Sequence, residues 1–220
     1  MKKVMIATPT YSGKLDAWYV NSLVDTIRLG ISKEINVQPV YVAGDALVQK
    51  ARSDLMRIAV DAEVDHVIWI DDDMEWDPQW VFDLVESGKD VIGGTARKKI
   101  FEEAYVVNGD IETLEIQEDG LMEVNLLGTG FLHLSKKAID YLWEQSTEYI
   151  DDRGVTQKLV TNVEVIDGHL VSEDYVMCKK LKEGGFKMYL DTKMTWGHVG
   201  SIKFSGDFAS WFKAIKEVKE

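Results

Sequence analysis

Three consecutive aspartates, Asp71 to Asp73, follow the apolar run Val67 to Ile70, and Glu75 stands two residues further on. Like charge this dense must be neutralised by something. On an extended segment, side chains two apart share a face at roughly 6 to 7 Å between Cα atoms. Asp71 and Asp73 therefore converge, while Asp72 points elsewhere. Two converging carboxylates suit one hard divalent cation, Mg²⁺ or Mn²⁺, which keeps positions open for phosphate oxygens and brings the missing positive charge. The bland alternative is that the aspartates end a strand and lead into the next helix with their charges in water.

Two rival motifs fail on inspection. An EF-hand loop would need glycine where Trp76 stands and a late glutamate where Phe82 stands. A nucleotide-triphosphatase strand would need a companion G-x-x-x-x-G-K-[ST] loop, which the sequence lacks. GTGFLH, from Gly128 to His133, is no dinucleotide fingerprint either, since it precedes a strand and has no third glycine.

Two more groups could do chemistry. Glu173 and Asp174 sit at the predicted start of a helix, where the dipole favours the carboxylate. A base there needs local burial to restore its proton affinity. His198 stands between Gly197 and Gly200, and imidazole is a common metal ligand.

The elements that must position these groups alternate between strand and helix over the first hundred residues. Strand signals cover Lys3 to Ala7, Val37 to Val42, His66 to Ile70 and the start of a fourth from Asp90 to Gly93. Between them, helical spacing runs through 15–29, 45–62 and 78–86, the last entered through Asp77 as cap with Pro78 in the first turn. Such alternation predicts βαβ units on a parallel sheet. The acidic run then leaves a strand at its carboxyl end, where open α/β sheets bind ligands. Arg97, Lys98 and Lys99 follow the fourth strand and read as a solvated basic turn.

From Ala104 the pattern shifts to short strands with Asn-Gly-Asp and Glu-Asp-Gly turns, then the GTGFLHL strand and a helix from Lys136 to Trp143. Residues 144–170 are polar and weakly patterned, with turn candidates at IDDRG and IDGHL, and are expected to form a loop or flap. Ser172 is expected to cap the helix that Gly184 and Gly185 end, and a KMYLD strand follows. The tail places Phe208, Trp211, Phe212, Ile215 and Val218 on one helical stripe that should dock on the core.

The formal net charge of -13 argues against a nucleic-acid partner, because phosphate backbones are bound by clustered Lys and Arg. Cys178 is the only cysteine, which removes a disulfide framework and a zinc ligand set. With no membrane-length apolar run and no secretory leader, a cytoplasmic setting is expected, whether in a bacterium or a virus. Oligomeric state is left open.

In their order, VIWIDDD, GTGFLHLS, SEDYVMCKKLKEGGFKMYLD and GHVG resemble the GT-A fold glycosyltransferases, and the likeness runs from the VMIATPT strand to FSGDF. It implies a single α/β domain over 1–220, with a nucleotide-binding half (1–100), an acceptor-side half (101–200) and a helical tail (201–220). The sheet should be Rossmann-like, mixed and mostly parallel, with helices on both faces and a small antiparallel acceptor-side portion. The implied activity is metal-dependent transfer of a sugar from a nucleotide-diphosphate donor, UDP- or GDP-linked, to a hydroxyl acceptor on a glycan, lipid or protein. Asp71, Asp73 and His198 match the metal ligands, with Mn²⁺ or Mg²⁺ as cofactor. Thr8, Pro9, Thr10, Arg52, Asp54, Asp71, Asp72, Gly128, Thr129 and Gly130 fall on the donor side, GTG as a small-residue strand that lets the sugar approach. Asp174 or Glu173 is the implied base. Two other classes stay open: a nucleotidyltransferase that builds sugar nucleotides, and a non-catalytic, divalent-ion-dependent carbohydrate-binding protein.

Overall fold

The computed structural model describes residues 1–107, 113–151 and 154–219, with side chains up to 217 in the final helix. The Asn108-Gly109-Asp110 turn, the Asp152-Arg153 portion of IDDRG and the Val218 side chain lie outside these residues. The chain begins with β1 (Lys3–Thr10), α1 (Ala17–Ser32), β2 (Asn36–Ala43), α2 (Val48–Asp61), β3 (His66–Ile70), a short β4 (Met74–Glu75), α3 (Pro78–Glu86) and β5 (Val91–Ala96). It continues through β6 (Leu121–Val124), β7 (Phe131–Ser135), α4 (Lys136–Glu144), β8 (Thr147–Ile150), β9 (Thr156–Leu159), β10 (Glu164–Ile166) and β11 (His169–Val171). It closes with α5 (Glu173–Glu183), β12 (Met188–Val199), β13 (Lys203–Phe204) and α6 (Phe208–Lys219).

A nine-stranded sheet carries the molecule, in the order β13-β12-β5-β7-β3-β1-β2 with β4 and β6 paired to β12. Strands β12, β5, β3, β1 and β2 run one way, and β7 runs against both of its neighbours, β3 and β5. The period-2 alternation of a strand sends successive side chains to opposite faces. Met5, Ala7, Val67 and Trp69 therefore pack under α2, α4, α5 and α6, while Val4, Ile6, Ile68 and Ile70 pack under α1 and α3. Because both faces are covered, these strands read as unbroken apolar runs.

Several element ends follow from local chemistry. Asp77 accepts from the Gln79 amide with Pro78 in the first turn of α3, and Asp16 caps α1 through the Trp18 amide. Ser172 stands at the cap position of α5 but makes no capping bond, because its hydroxyl donates to Asp174 instead. The tail docks as its stripe predicts, with Phe208 and Phe212 buried and Trp211 and Ile215 packed beside them.

Two expectations fail. Among the described residues of 144–170 the chain is not an unpatterned loop; it forms the β8-β9 pair and, around the Asp167-Gly168 turn, the β10-β11 hairpin. Gly128 to Gly130 form a turn that leads into β7 rather than a strand.

Candidate active site

The reversal of β7 places its entrance beside the exit of β3. Ile70 pairs with Phe131, and the Asp71 amide donates to the Gly130 carbonyl at 3.2 Å. A parallel β7 would carry the glycine turn to the opposite edge. A Cβ on Gly130 would lie 2.9 Å from Asp71 Oδ2 and 3.0 Å from Met74 Cε, so any larger residue would push the carboxylate or the methionine aside. On the far side β12 delivers His198, which pairs with Met74, while the Val199 amide donates to the Asp73 carbonyl at 2.8 Å. Three segments remote in sequence thus meet at one edge of the sheet.

A cleft of about 370 Å³ opens there, lined by Pro9, Thr10, Arg52, Asp71, Asp72, Asp73 and His198 among others. Tyr11, Ser12 and Asp45 line it too and were not singled out from sequence. Asp45 follows β2 as Asp71 follows β3, so the rule that found the acidic run would have found it.

The charge of the acidic run is met by the protein's own cations. Arg52, whose side chain is only 5% exposed, donates from one terminal nitrogen to Asp71 Oδ1 at 3.0 Å and from the other to Glu173 Oε1 at 2.9 Å. Lys99 reaches Asp73 Oδ2 from a turn whose lysines are exposed, so the turn is solvated and also lends one charge to the acidic run. His198 Nε2 lies 3.7 Å from the same oxygen. Its Nδ1 sits 3.1 Å from the Arg97 carbonyl, which can only accept, so Nδ1 carries a proton. Burial pushes the Asp73 carboxyl up, but His198 and Lys99 beside it hold it below the usual carboxylate range. Asp72 is raised, chiefly by burial and then by its acidic neighbours, despite a bond from Thr10.

The anticipated metal set is thus assembled in part. Asp73 and His198 bring a carboxylate oxygen and an imidazole nitrogen to one point, a mixed donor pair that suits a first-row transition ion better than Mg²⁺. Asp71 is instead turned to Arg52, and no group of three His, Cys, Asp or Glu suited to a metal occurs among the described residues.

Two donor-side expectations also lie elsewhere. Thr8 is fully buried, its hydroxyl 2.5 Å from that of Tyr19. Asp54 is held by Lys50 at 2.9 Å and lines a neighbouring cleft. Thr129 is buried in its turn. At the start of α5, Asp174 Oδ1 accepts from Ser172 and from the Tyr175 amide, while Oδ2 would lie 3.9 Å from a Cβ on Gly128. The glycine turn and the acid pair therefore face each other.

No protein-family model matches the sequence, and no curated protein does. Among solved structures the chain is similar to A197 from STIV, at 17% identity and TM-score 0.55 over 91% of this chain and 86% of that one. It is also similar to S. aureus TarS 1-349 in complex with UDP-GlcNAc, at 14% identity and TM-score 0.50 over 96% of this chain and 61% of that one. No helix among the described residues is long and apolar enough to cross a membrane. Sheet order, helices on both faces and these likenesses together establish that the chain has a GT-A-like fold.

Proposed function

We propose that the chain transfers a sugar from a nucleoside-diphosphate donor to a hydroxyl group of an acceptor glycan. One observation carries this reading: Arg52 ties Asp71 in the cleft to Glu173 at the start of α5, so the acidic run and the acid pair, 121 residues away from Arg52, belong to one connected site. The TarS structure similar in fold holds UDP-GlcNAc.

The two acids divide the work by their partners. Glu173 is already engaged, its Oε1 accepting from the buried Arg52 guanidinium at 2.9 Å. Asp174 has one oxygen tied to Ser172 and Tyr175, which fixes the carboxylate and leaves Oδ2 beside Gly128 to take the proton of an acceptor hydroxyl. Asp174 is the base in this reading, and Glu173 and Arg52 position it. Asp73 and His198 would hold a divalent ion, Mn²⁺ or Mg²⁺, whose charge would offset that of the departing nucleoside diphosphate. For the ion to bind, Lys99 must release Asp73.

The test is a panel of UDP- and GDP-sugars with Mn²⁺, read by the phosphate product. Nucleoside diphosphate release is expected. Conversion of the panel to sugar 1-phosphate and UTP or GTP on addition of pyrophosphate would instead mark a nucleotidyltransferase, and sugar binding without turnover a carbohydrate-binding protein. Asp174→Asn should cut transfer about 100-fold or more while donor affinity, measured by calorimetry, is kept. Undiminished transfer would remove Asp174 as the base.

A further inference from the structure

Lys99 must leave Asp73 when an ion takes its place, and the surrounding charges decide where its ammonium goes. The cleft lining carries Asp45, Asp71, Asp72 and Asp73 against Arg52 and His198. Arg52 is already engaged, since its two terminal nitrogens bond Asp71 and Glu173 and its side chain is only 5% exposed. Lys50, behind the rim, is engaged too, between Asp45 at 3.0 Å and Asp54 at 2.9 Å. His198 as an ion ligand is neutral. A nucleoside diphosphate adds negative charge to a cleft whose Asp71 and Asp72 already repel it, and one divalent ion on Asp73 leaves that sum unbalanced. A further cation is needed.

Lys99 is placed to supply it. Its turn is braced on both sides: the Lys98 amide donates to the Ala104 carbonyl at 2.8 Å, and the Arg97 guanidinium donates to the carbonyls of Phe101 at 2.9 Å and Ser205 at 3.1 Å. The lysine stem passes the backbone of Gly200, where a Cβ would lie 3.3 Å from Lys99 Cδ, just beyond His198. The side chain is about a third exposed, so rotation about its flexible stem moves the ammonium while the turn stays in place. A cation counts most where charge develops, and on sugar transfer that is the phosphate released from the sugar. We infer that Lys99 is a donor-binding residue: once off Asp73, its ammonium bonds the second phosphate of the nucleoside diphosphate, and the cleft thereby favours diphosphate over monophosphate donors. This rests on the donor reading proposed above.

The test is calorimetry on the full chain at saturating Mn²⁺, so that easier ion entry does not mask the effect, comparing UDP with UMP and GDP with GMP. For the nucleotide that binds, Lys99→Ala should weaken the diphosphate about tenfold or more, the loss of one charge-assisted hydrogen bond, and leave the monophosphate within about twofold. Lys98→Ala removes the same charge from the same exposed turn and should leave both unchanged. An equal loss for diphosphate and monophosphate, or an equal loss in Lys98→Ala, would overturn the inference, because either marks a general field rather than a bond to the second phosphate. Diphosphate binding that Lys99→Ala leaves intact would overturn it as well, with the donor reading still standing. Wild-type protein that binds neither UDP nor GDP would sink the donor reading and this inference together.

Discussion

The two ends of the acidic run are neutralised in different ways. At the inner end Asp71 is held by Arg52, a guanidinium out of solvent that also grips Glu173. At the mouth Asp73 is held by Lys99, about a third exposed on a flexible stem, with His198 waiting behind it. A rigid, two-armed cation suits permanent structure, whereas a hydrated ammonium is an exchangeable partner. In the proposed reading this difference leaves Asp73 as the carboxylate for an incoming ion and Asp71 as part of the frame.

Removing the inner cation should have the largest effect. Arg52→Met leaves two shielded carboxylates without a partner, and denaturant unfolding should record a loss of about 3 to 5 kcal/mol. A loss under 1 kcal/mol, the value typical of an exposed pair, would erase the distinction between the two ends.

Acid unfolding could be mistaken for protonation of the run, so its other source needs separating. At the opposite part of the sheet, His66 Nδ1 and His133 Nε2 lie 2.9 Å apart, and burial holds His133 down at about 3 and lowers His66 as well. The folded state therefore binds fewer protons than the unfolded state below the ordinary value of 6.5. Stability from this pair is full above that pH and drains as pH falls from 6.5 toward 3, at up to about 1.4 kcal/mol per pH unit for each histidine. His133→Leu should flatten that slope in urea titrations run across the window; an unchanged slope would return the effect to the aspartates.

The smallest stability change belongs to the mouth. Lys99→Ala should shift unfolding by no more than about 1 kcal/mol, yet it should tighten Mn²⁺ binding severalfold when followed by electron paramagnetic resonance. Weaker Mn²⁺ binding would show that the lysine helps rather than competes.

What the sequence disclosed, and what it hid, has a physical pattern. The first three strands and their helices are legible because long apolar runs and helical spacing recur, and Pro78 marks a helix start unaided. The acidic run is legible because a strand ends where it begins. The direction of β7 is not, since a strand buried on both faces reads the same in either sense. The hairpins of 144–171 escape notice because strands such as TEYI and TQKL are short and polar, TEYI mostly exposed and TQKL borrowing its burial from α2. Lys99 resembles any surface lysine until folding brings it to Asp73, 26 residues back. Thr8 shows the converse: a polar residue at the right strand end whose hydroxyl is spent on Tyr19.

Strand β12 carries a consequence for how the molecule is made. It begins only at Met188, more than ninety residues after β5, yet it pairs with β5 and brings both His198 and the amide that fixes Asp73. Domains begin to fold from the amino end during synthesis, so β1, β2 and β3 can associate while the ribosome is still working. The cleft, however, stays half-built until β12 has emerged. A nascent chain halted before residue 188 would present its aspartates with no histidine opposite them.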